Sequence, residues 1–261
     1  MAFTVHAVMP GVWHIVDCMG VCMTLLEGEN AAMLVDTGYG IEDVADFMRH
    51  MTDLPLTVFL THNHHDHAMG ARYFPETYML EADMADWRMF TNDEMRRRVL
   101  TQAIGKNLPV DEKTFLAGEI PLPKVMKPGL IDLGGLTAEI IEAPGHTPGS
   151  AVVYVPERKL LLSGDDWNPC TWLFFPQALG LREYRSNMRG IQQLPFEKVL
   201  CPHREALYDR WMFDDFFNAL TDGNLRAAEP VNIAPYEQID TCQATLPHDQ
   251  VLVFDWAKSG L

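Results

Sequence analysis

No stretch of this 261-residue chain approaches the roughly 18 consecutive apolar residues that a membrane-spanning helix requires, so no such helix is expected. Positive charge is scarce: 20 Lys and Arg stand against 36 Asp and Glu, for a formal net charge of -16. That balance opposes binding to a nucleic-acid backbone or an anionic membrane surface, and neither is expected as a partner. The opening residues Met1-Ala2-Phe3-Thr4-Val5-His6 hold no basic region leading into an apolar stretch, so a cytoplasmic location is expected. Five cysteines, an odd number scattered in sequence, suit reduced thiols better than a disulfide framework, and Cys18 and Cys22 are expected as buried strand residues. There is no Gly-x-Ser-x-Gly elbow for a serine nucleophile, no internal repeat and no low-complexity linker.

What is present is an ordinary globular balance, 48% hydrophobic and 21% charged, enough for a sizeable core. Short apolar or alternating runs at 4–8, 12–16, 22–27 and 32–35, punctuated by Pro10-Gly11 and Gly28-Glu29-Asn30, predict an antiparallel meander. A helix is expected over 41–51 and a strand over 56–60, then a strand near 77–80 and a polar, Met-rich helical stretch from Glu81 to about Lys106. Strands are expected at 130–133, 136–142, 151–155 and 159–163, helices near 182–193 and 204–225, and an edge strand over 251–256. This order predicts an α/β chain in which mixed sheets are covered by helices, as a single domain over 1–261. The segment 81–124 is longer than a connection needs and reads as a helical, lid-like insertion. Its Met84, Met89, Phe90, Met95 and Leu100 fit a lid face or a core stripe equally well.

The chemistry concentrates at His62-Asn63-His64-His65-Asp66-His67, directly after the apolar run Leu56-Thr57-Val58-Phe59-Leu60. Active sites of α/β proteins lie at such strand ends. Imidazole nitrogen and carboxylate oxygen are ligands that zinc accepts, and this spacing gathers them within six residues. Three further predicted strands end in metal-competent side chains. His146 sits in Pro144-Gly145-His146-Thr147-Pro148-Gly149, Asp165 in Ser163-Gly164-Asp165, and His203 in Pro202-His203. His6, His14, His50 and His248 stand beside no second ligand and read as structural, and His65 reads as facing solvent or supporting the cluster.

These motifs, with Val35-Asp36-Thr37-Gly38 before them, resemble the metallo-β-lactamase superfamily, glyoxalase-II-like and lactonase-like branches included. They fall in that family's order across residues 35 to 203. The resemblance implies an αβ/βα four-layer sandwich of two mixed β-sheets flanked by helices, with metals at one edge. It implies that His62, His64 and His146 hold a first divalent ion, that Asp66, His67 and His203 hold a second, and that Asp165 bridges both. Zinc is the favoured ion, with iron or manganese as alternatives. Asp36 resembles the family's aspartate that supports the His-rich loop without binding metal.

The expected activity is hydrolysis of a small acyl ester, thioester or lactone by a hydroxide shared between two metals about 3.5–4 Å apart. Asp66 is expected to orient that hydroxide and shuttle a proton, and Tyr184 to assist at the oxyanion. Trp167, Trp172, Phe174 and Phe175 are candidates for an apolar pocket or for plain core, and Arg96-Arg97-Arg98 reads as a solvated helix face. The partner is a small-molecule substrate, and a homodimer is an allowed assembly. A mononuclear iron, persulfide-dioxygenase-like oxidoreductase is the rival reading. β-Lactamase and nucleic-acid phosphodiesterase activities rank below both.

Overall fold

The computed structural model describes residues 3–261. Seven strands form the first sheet in sequence order: β1 (Thr4–Met9), β2 (Val12–Val16), β3 (Cys22–Glu27), β4 (Ala32–Val35), β5 (Leu56–Phe59), β6 (Tyr78–Met79) and β7 (Lys124–Val125). The first four are antiparallel and the last three join in parallel. A second sheet has the order β14-β13-β11-β10-β9-β8, from β8 (Gly129–Asp132), β9 (Thr137–Glu142), β10 (Ala151–Val155), β11 (Leu160–Leu162), β13 (Lys198–Leu200) and β14 (Tyr208–Asp209).

The period-2 pattern of the strands decides the layers. Alternate residues Leu26, Met33, Val35 and Phe59 of the first sheet pack against Ala138, Ile140, Val153 and Leu162 of the second. The other face of the first sheet, with Ile15, Met23, Leu25 and Leu34, takes α1 (Val44–Met51) through Val44, Ala45 and Met48. Asp43 caps this helix by accepting from Asp46 N, and the helix is amphipathic, which is why it lies flat on the sheet. The outer face of the second sheet takes α6 (Leu181–Ile191) and α7 (Arg210–Ala219). The result is an αβ/βα sandwich of mixed sheets and helices. No helix among the described residues is long and apolar enough to cross a membrane.

Several expectations need correction. A third, four-stranded sheet, order β12-β17-β16-β15, contains β12 (Cys170–Leu173), β15 (Glu229–Pro230), β16 (Thr241–Leu246) and β17 (Gln250–Asp255). The strand expected at the edge is β17, which is flanked by β12 and β16 and central to that sheet. The helix expected from Arg204 starts only at Arg210, because Tyr208 and Asp209 pair with β13. It also breaks after Ala219, where Thr221 caps the separate helix α8 (Asp222–Arg226) by accepting from Asn224 N. Cys22 is buried on β3 as expected, whereas Cys18 lies half-buried in the turn before it.

The segment 81–124 folds as α3 (Trp87–Thr91), α4 (Asp93–Gly105) and α5 (Glu112–Leu116), around a small core of Trp87, Val99, Leu100, Phe115 and Ile120. Arg96 is not on a solvated face. It is 1% exposed, and its guanidinium donates to the carbonyls of Phe115 (2.5 Å) and Gly118 (2.6 Å), capping the end of α5. Phe90 and Leu100 are buried while Met89 is exposed, so the Met-rich stripe divides between core and surface.

Candidate metal centre

Four loops that leave β4, β5, β9 and β11, with a fifth that leaves β13, converge at one edge of the sandwich. Asp36 ends β4 in the left-handed region (φ 65°) that Asp tolerates better than most residues. Its carboxyl accepts from Thr61 N (2.7 Å), from Thr61 Oγ1 (2.9 Å) and from His67 Nδ1 (3.0 Å). The short helix α2 (His65–Ala68) is locked to β4 because both Thr37 N and Thr37 Oγ1 donate to His67 O. Gly70 is required by this close approach: a Cβ there would lie 2.1 Å from Thr37 O.

The loop that presents His146 is tied from below. Asp166 accepts from His146 N (3.0 Å), and Asp83 accepts from Thr147 Oγ1 (2.7 Å), Gly149 N (2.6 Å) and Asn63 N (3.1 Å). Asp83 thereby clasps two ligand loops together, and Gly149 leaves it room, since a Cβ at 149 would meet Asp83 N at 2.6 Å. His146 Nδ1 donates to Trp172 O (2.6 Å), His67 Nδ1 to Asp36, and His62 Nδ1 to Thr61 Oγ1 (3.0 Å). Three imidazoles therefore keep their Nε2 lone pairs for the interior, the tautomer a metal ligand needs.

The interior holds the expected seven side chains in two groups: His62, His64, His146 and Asp165, then Asp66, His67 and His203. Within each group the ligand atoms lie within 4.8 Å of one another. Asp165 Oδ2 reaches both groups, at 3.4 Å from His146 Nε2, 3.9 Å from His62 Nε2, 3.6 Å from His67 Nε2 and 3.1 Å from His203 Nε2. Asp66 Oδ2 is 3.7 Å from both His67 Nε2 and His203 Nε2. Donors about 2.0–2.2 Å from a common tetrahedral ion stand about 3.3–3.6 Å from each other, and these separations bracket that value. The Nε2 atoms of His62 and His67 are buried and have no hydrogen-bond partner. Such orphaned lone pairs are costly unless a cation takes them, so the donor set fits two divalent ions, with Asp165 placed between them.

Charge agrees with this fit at the first group; at the second, burial opposes protonation of His67 and His203, but Asp165 and Asp66 outweigh it and raise both above the ordinary histidine value. Burial, with the neighbouring imidazoles, pushes His62 and His64 well below the ordinary histidine value and keeps them neutral. Burial opposes ionisation of Asp66, but His67, His65 and His203 outweigh it and hold its carboxyl at about 2.

His65 belongs to neither group. It lines the cavity rim edge-on to Tyr39, with ring centroids 5.5 Å apart. His6 and His248 pair with Glu205 and Asp215, while His14 and His50 bond to Thr24 and the Asp46 carbonyl. Tyr184 is the site expectation that the structure corrects. It is fully buried, its hydroxyl donates to Asp166 O, and it takes no part in the cavity wall, so it cannot reach an oxyanion.

Above the two groups of donors opens a cavity of about 500 Å³. Trp172 (38% exposed) and Phe175 line it, whereas Trp167 and Phe174 are buried in the core. The opposite wall comes from the 81–124 segment through Phe90, Met95 and Arg98, and Tyr39, Arg204 and Tyr236 complete the mouth. Phe90 and Phe175 flank the His64 ring, at centroid distances of 4.4 and 4.8 Å. Sequence reasoning left out Tyr39, Arg204, Tyr236, Asp83 and Asp166. Only Asp166, next to Asp165, carried a usable signal.

A fold of this layering, with a His- and Asp-rich centre at the strand ends, defines a class, and sequence comparison agrees with it. The profile of the Metallo-beta-lactamase superfamily matches residues 16–203, and the chain belongs to that superfamily. It is 26% identical over 200 residues to the acyl-coenzyme A thioesterase MBLAC2 of Gallus gallus, covering 69% of this chain and 70% of that one. Among solved structures it resembles a metallo-beta-lactamase from Pontibacter korlensis (TM-score 0.56, 18% identity, 83% of this chain and 98% of the other). It also resembles the sec-alkylsulfatase Pisa1 from a Pseudomonas species (TM-score 0.63, 16% identity, 86% of this chain and 43% of the other). At these identities the structural likenesses establish the fold alone.

Proposed function

We propose that the protein is a dinuclear metal-dependent hydrolase of small acyl esters, with thioesters as the first substrate class and lactones or oxygen esters next. The observation that carries this reading is the meeting of seven donor side chains at the floor of an open cavity, with the His62 and His67 nitrogens aimed inward and unpartnered. Two divalent cations, zinc first, bound among these ligands would supply an activated water and Lewis-acid polarisation of the acyl oxygen.

The protein's own groups do the rest. Phe90 and Phe175 shield His64 and keep bulk water from the floor. Asp66 turns Oδ2 toward His67 and His203, which leaves Oδ1, 3.7 Å from His65 Nδ1, as the oxygen that takes up a proton during turnover. Arg98 and Arg204 place positive charge on the cavity wall, suited to a leaving group that departs as an anion. The thioesterase among the relatives supports placing thioesters first. Five free cysteines suit a reducing, cytoplasmic setting.

The test is metal analysis followed by a hydrolysis panel of acyl thioesters, an acyl-coenzyme A among them, with lactones, β-lactams, sulfate esters and phosphodiesters. Two metals per chain and preferential thioester turnover are expected. Activity confined to phosphodiesters, or one iron per chain with oxygen uptake, would overturn the proposal.

A further inference from the structure

His64 differs from the other buried ligands in the way its ring is held. Its Nδ1, not its Nε2, faces the ligand group, 2.8 Å from His146 Nε2. The outward nitrogen, Nε2, lies 2.6 Å from the side-chain amide of Gln177. As placed, that contact is with the amide nitrogen, while the amide oxygen of Gln177 is buried and has no partner. The two ends of a glutamine amide have the same shape and opposite hydrogen-bonding character.

The two orientations of this amide select opposite tautomers of His64. With –NH2 against Nε2, the amide donates to a lone pair there, so the ring proton sits on Nδ1 and donates to His146. Nδ1 then has no lone pair for a metal. With the amide turned about its own axis, Oε1 accepts from Nε2–H, the orphaned oxygen gains its partner, and the Nδ1 lone pair points into the ligand group. Only the second arrangement leaves the Nδ1 lone pair of His64 free for an ion bound between His62, His64 and His146, while the –NH2 of Gln177 turns to the buried position that its oxygen now holds.

The backbone around Gln177 is built to hold this contact. Lys258 donates from Nζ to the carbonyls of Phe175 (3.2 Å), Pro176 (2.6 Å) and Ala178 (3.0 Å), on both sides of Gln177 in the chain. Ala178 N donates to Phe175 O, and Leu179 N to Gly145 O, which ties the same loop to the turn that presents His146. A loop fastened at five points is a suitable mount for a group that sets the orientation of a ligand.

We propose that Gln177 is a positioning residue for the first metal site, whose amide turns its oxygen to His64 Nε2–H and so fixes the metal-binding tautomer of His64. This rests on the dinuclear reading of the centre. The test compares the zinc-loaded full chain with Gln177→Leu and Gln177→Glu by chelator competition, with histidine-selective ¹⁵N NMR to read the tautomer of His64. Leu removes the acceptor, and first-site zinc affinity is expected to fall about 10- to 100-fold, the usual loss for such supporting groups. Glu offers only acceptors, and affinity is expected to stay within about threefold of wild type or to tighten. In the zinc-loaded wild type the proton of His64 is expected on Nε2.

Equal losses in Gln177→Leu and Gln177→Glu would reduce Gln177 to a packing role and overturn the inference. So would an Nδ1–H tautomer of His64 in zinc-loaded wild type, a readout that needs no variant to fold. A wild type that takes up no zinc would overturn the metal centre itself, and a wild type that binds two ions as tightly as Gln177→Leu would overturn Gln177 alone.

Discussion

Asp36→Asn separates the support of a ligand from ligation itself. Asn is nearly the same shape as Asp and shares its tolerance of the left-handed backbone at φ 65°, whereas Ala there would add about 1–2 kcal/mol of strain. In the variant, the amide oxygen can still accept from Thr61 N, but the –NH2 is left facing Thr61 Oγ1 and His67 Nδ1. A donor opposite Nδ1–H is repulsive, so His67 is driven to carry its proton on Nε2, the atom now 3.6 Å from Asp165 and 3.7 Å from Asp66. That proton occupies the lone pair the second ion needs. Loss of such a supporting group weakens metal binding about 10- to 100-fold, equivalent to about 1.4–2.7 kcal/mol. The fold itself should lose about 2 kcal/mol, the worth of one charge-assisted hydrogen bond, and should remain intact. Zinc titration against a chromogenic chelator resolves the two steps: the second should weaken by this amount and the first much less. An Asp36→Asn protein that holds both ions as tightly as wild type would refute the tautomer argument.

Asp165→Ala removes the carboxylate shared by both groups, so bound metal should fall toward zero and turnover with it; unchanged metal content by elemental analysis would remove Asp165 from the bridge. Tyr184→Phe deletes one buried hydrogen bond outside the cavity wall, so it should cost about 1 kcal/mol in urea unfolding and leave kcat and metal content unchanged. A drop in kcat beyond about tenfold would return Tyr184 to the site. Asp83 is raised from 3.8 to about 6, chiefly by burial. A carboxyl raised on folding contributes stability that is complete below pH 3.8 and lost as pH rises through about 6. Relative to Asp83→Asn, the wild type should therefore lose about 2 kcal/mol of stability between pH 4 and pH 7. Parallel urea midpoints for the two proteins across that range would contradict this.

The candidate centre was legible because the side chains that meet there are contiguous or follow apolar runs. His62, His64, Asp66 and His67 fall within six residues, and His146, Asp165 and His203 each close a strand that the alternation of Val, Leu and Ile already marks. The two main sheets were legible for the same reason. The third was not: Thr241–Leu246 is half polar and Cys170–Leu173 only four residues long, so neither stands out, and β17 read as an edge strand for want of visible neighbours. Arg96 was misread because three arginines on one helix suggest solvent. Only the tertiary contact with the end of α5 shows that its two terminal nitrogens are needed indoors. The supporting residues were invisible for a related reason. Asp83 reaches Thr147 across 64 positions and Gln177 reaches His64 across 113, and no local pattern marks either contact.

These supporting residues share one physical trait that bears on the metal. Asp36, Asp83, Asp165 and Asp166 are all buried at or beneath the centre, in a region where ionised carboxyls are costly without compensating charge. Among the described residues no Lys or Arg pairs with any of them; Asp165 faces histidines, Asp36 faces His67 together with the amide and hydroxyl of Thr61, and Asp83 and Asp166 are answered by backbone N–H and hydroxyl donors. Neutral imidazoles at His62 and His64 add lone pairs to the same volume without adding positive charge. An interior with this much concentrated donor capacity, and no Lys or Arg paired with its carboxyls, is poorly suited to a purely structural core. It is well suited to a pair of divalent cations, which would offset the cost of burying the carboxyls and take up the unpartnered nitrogens.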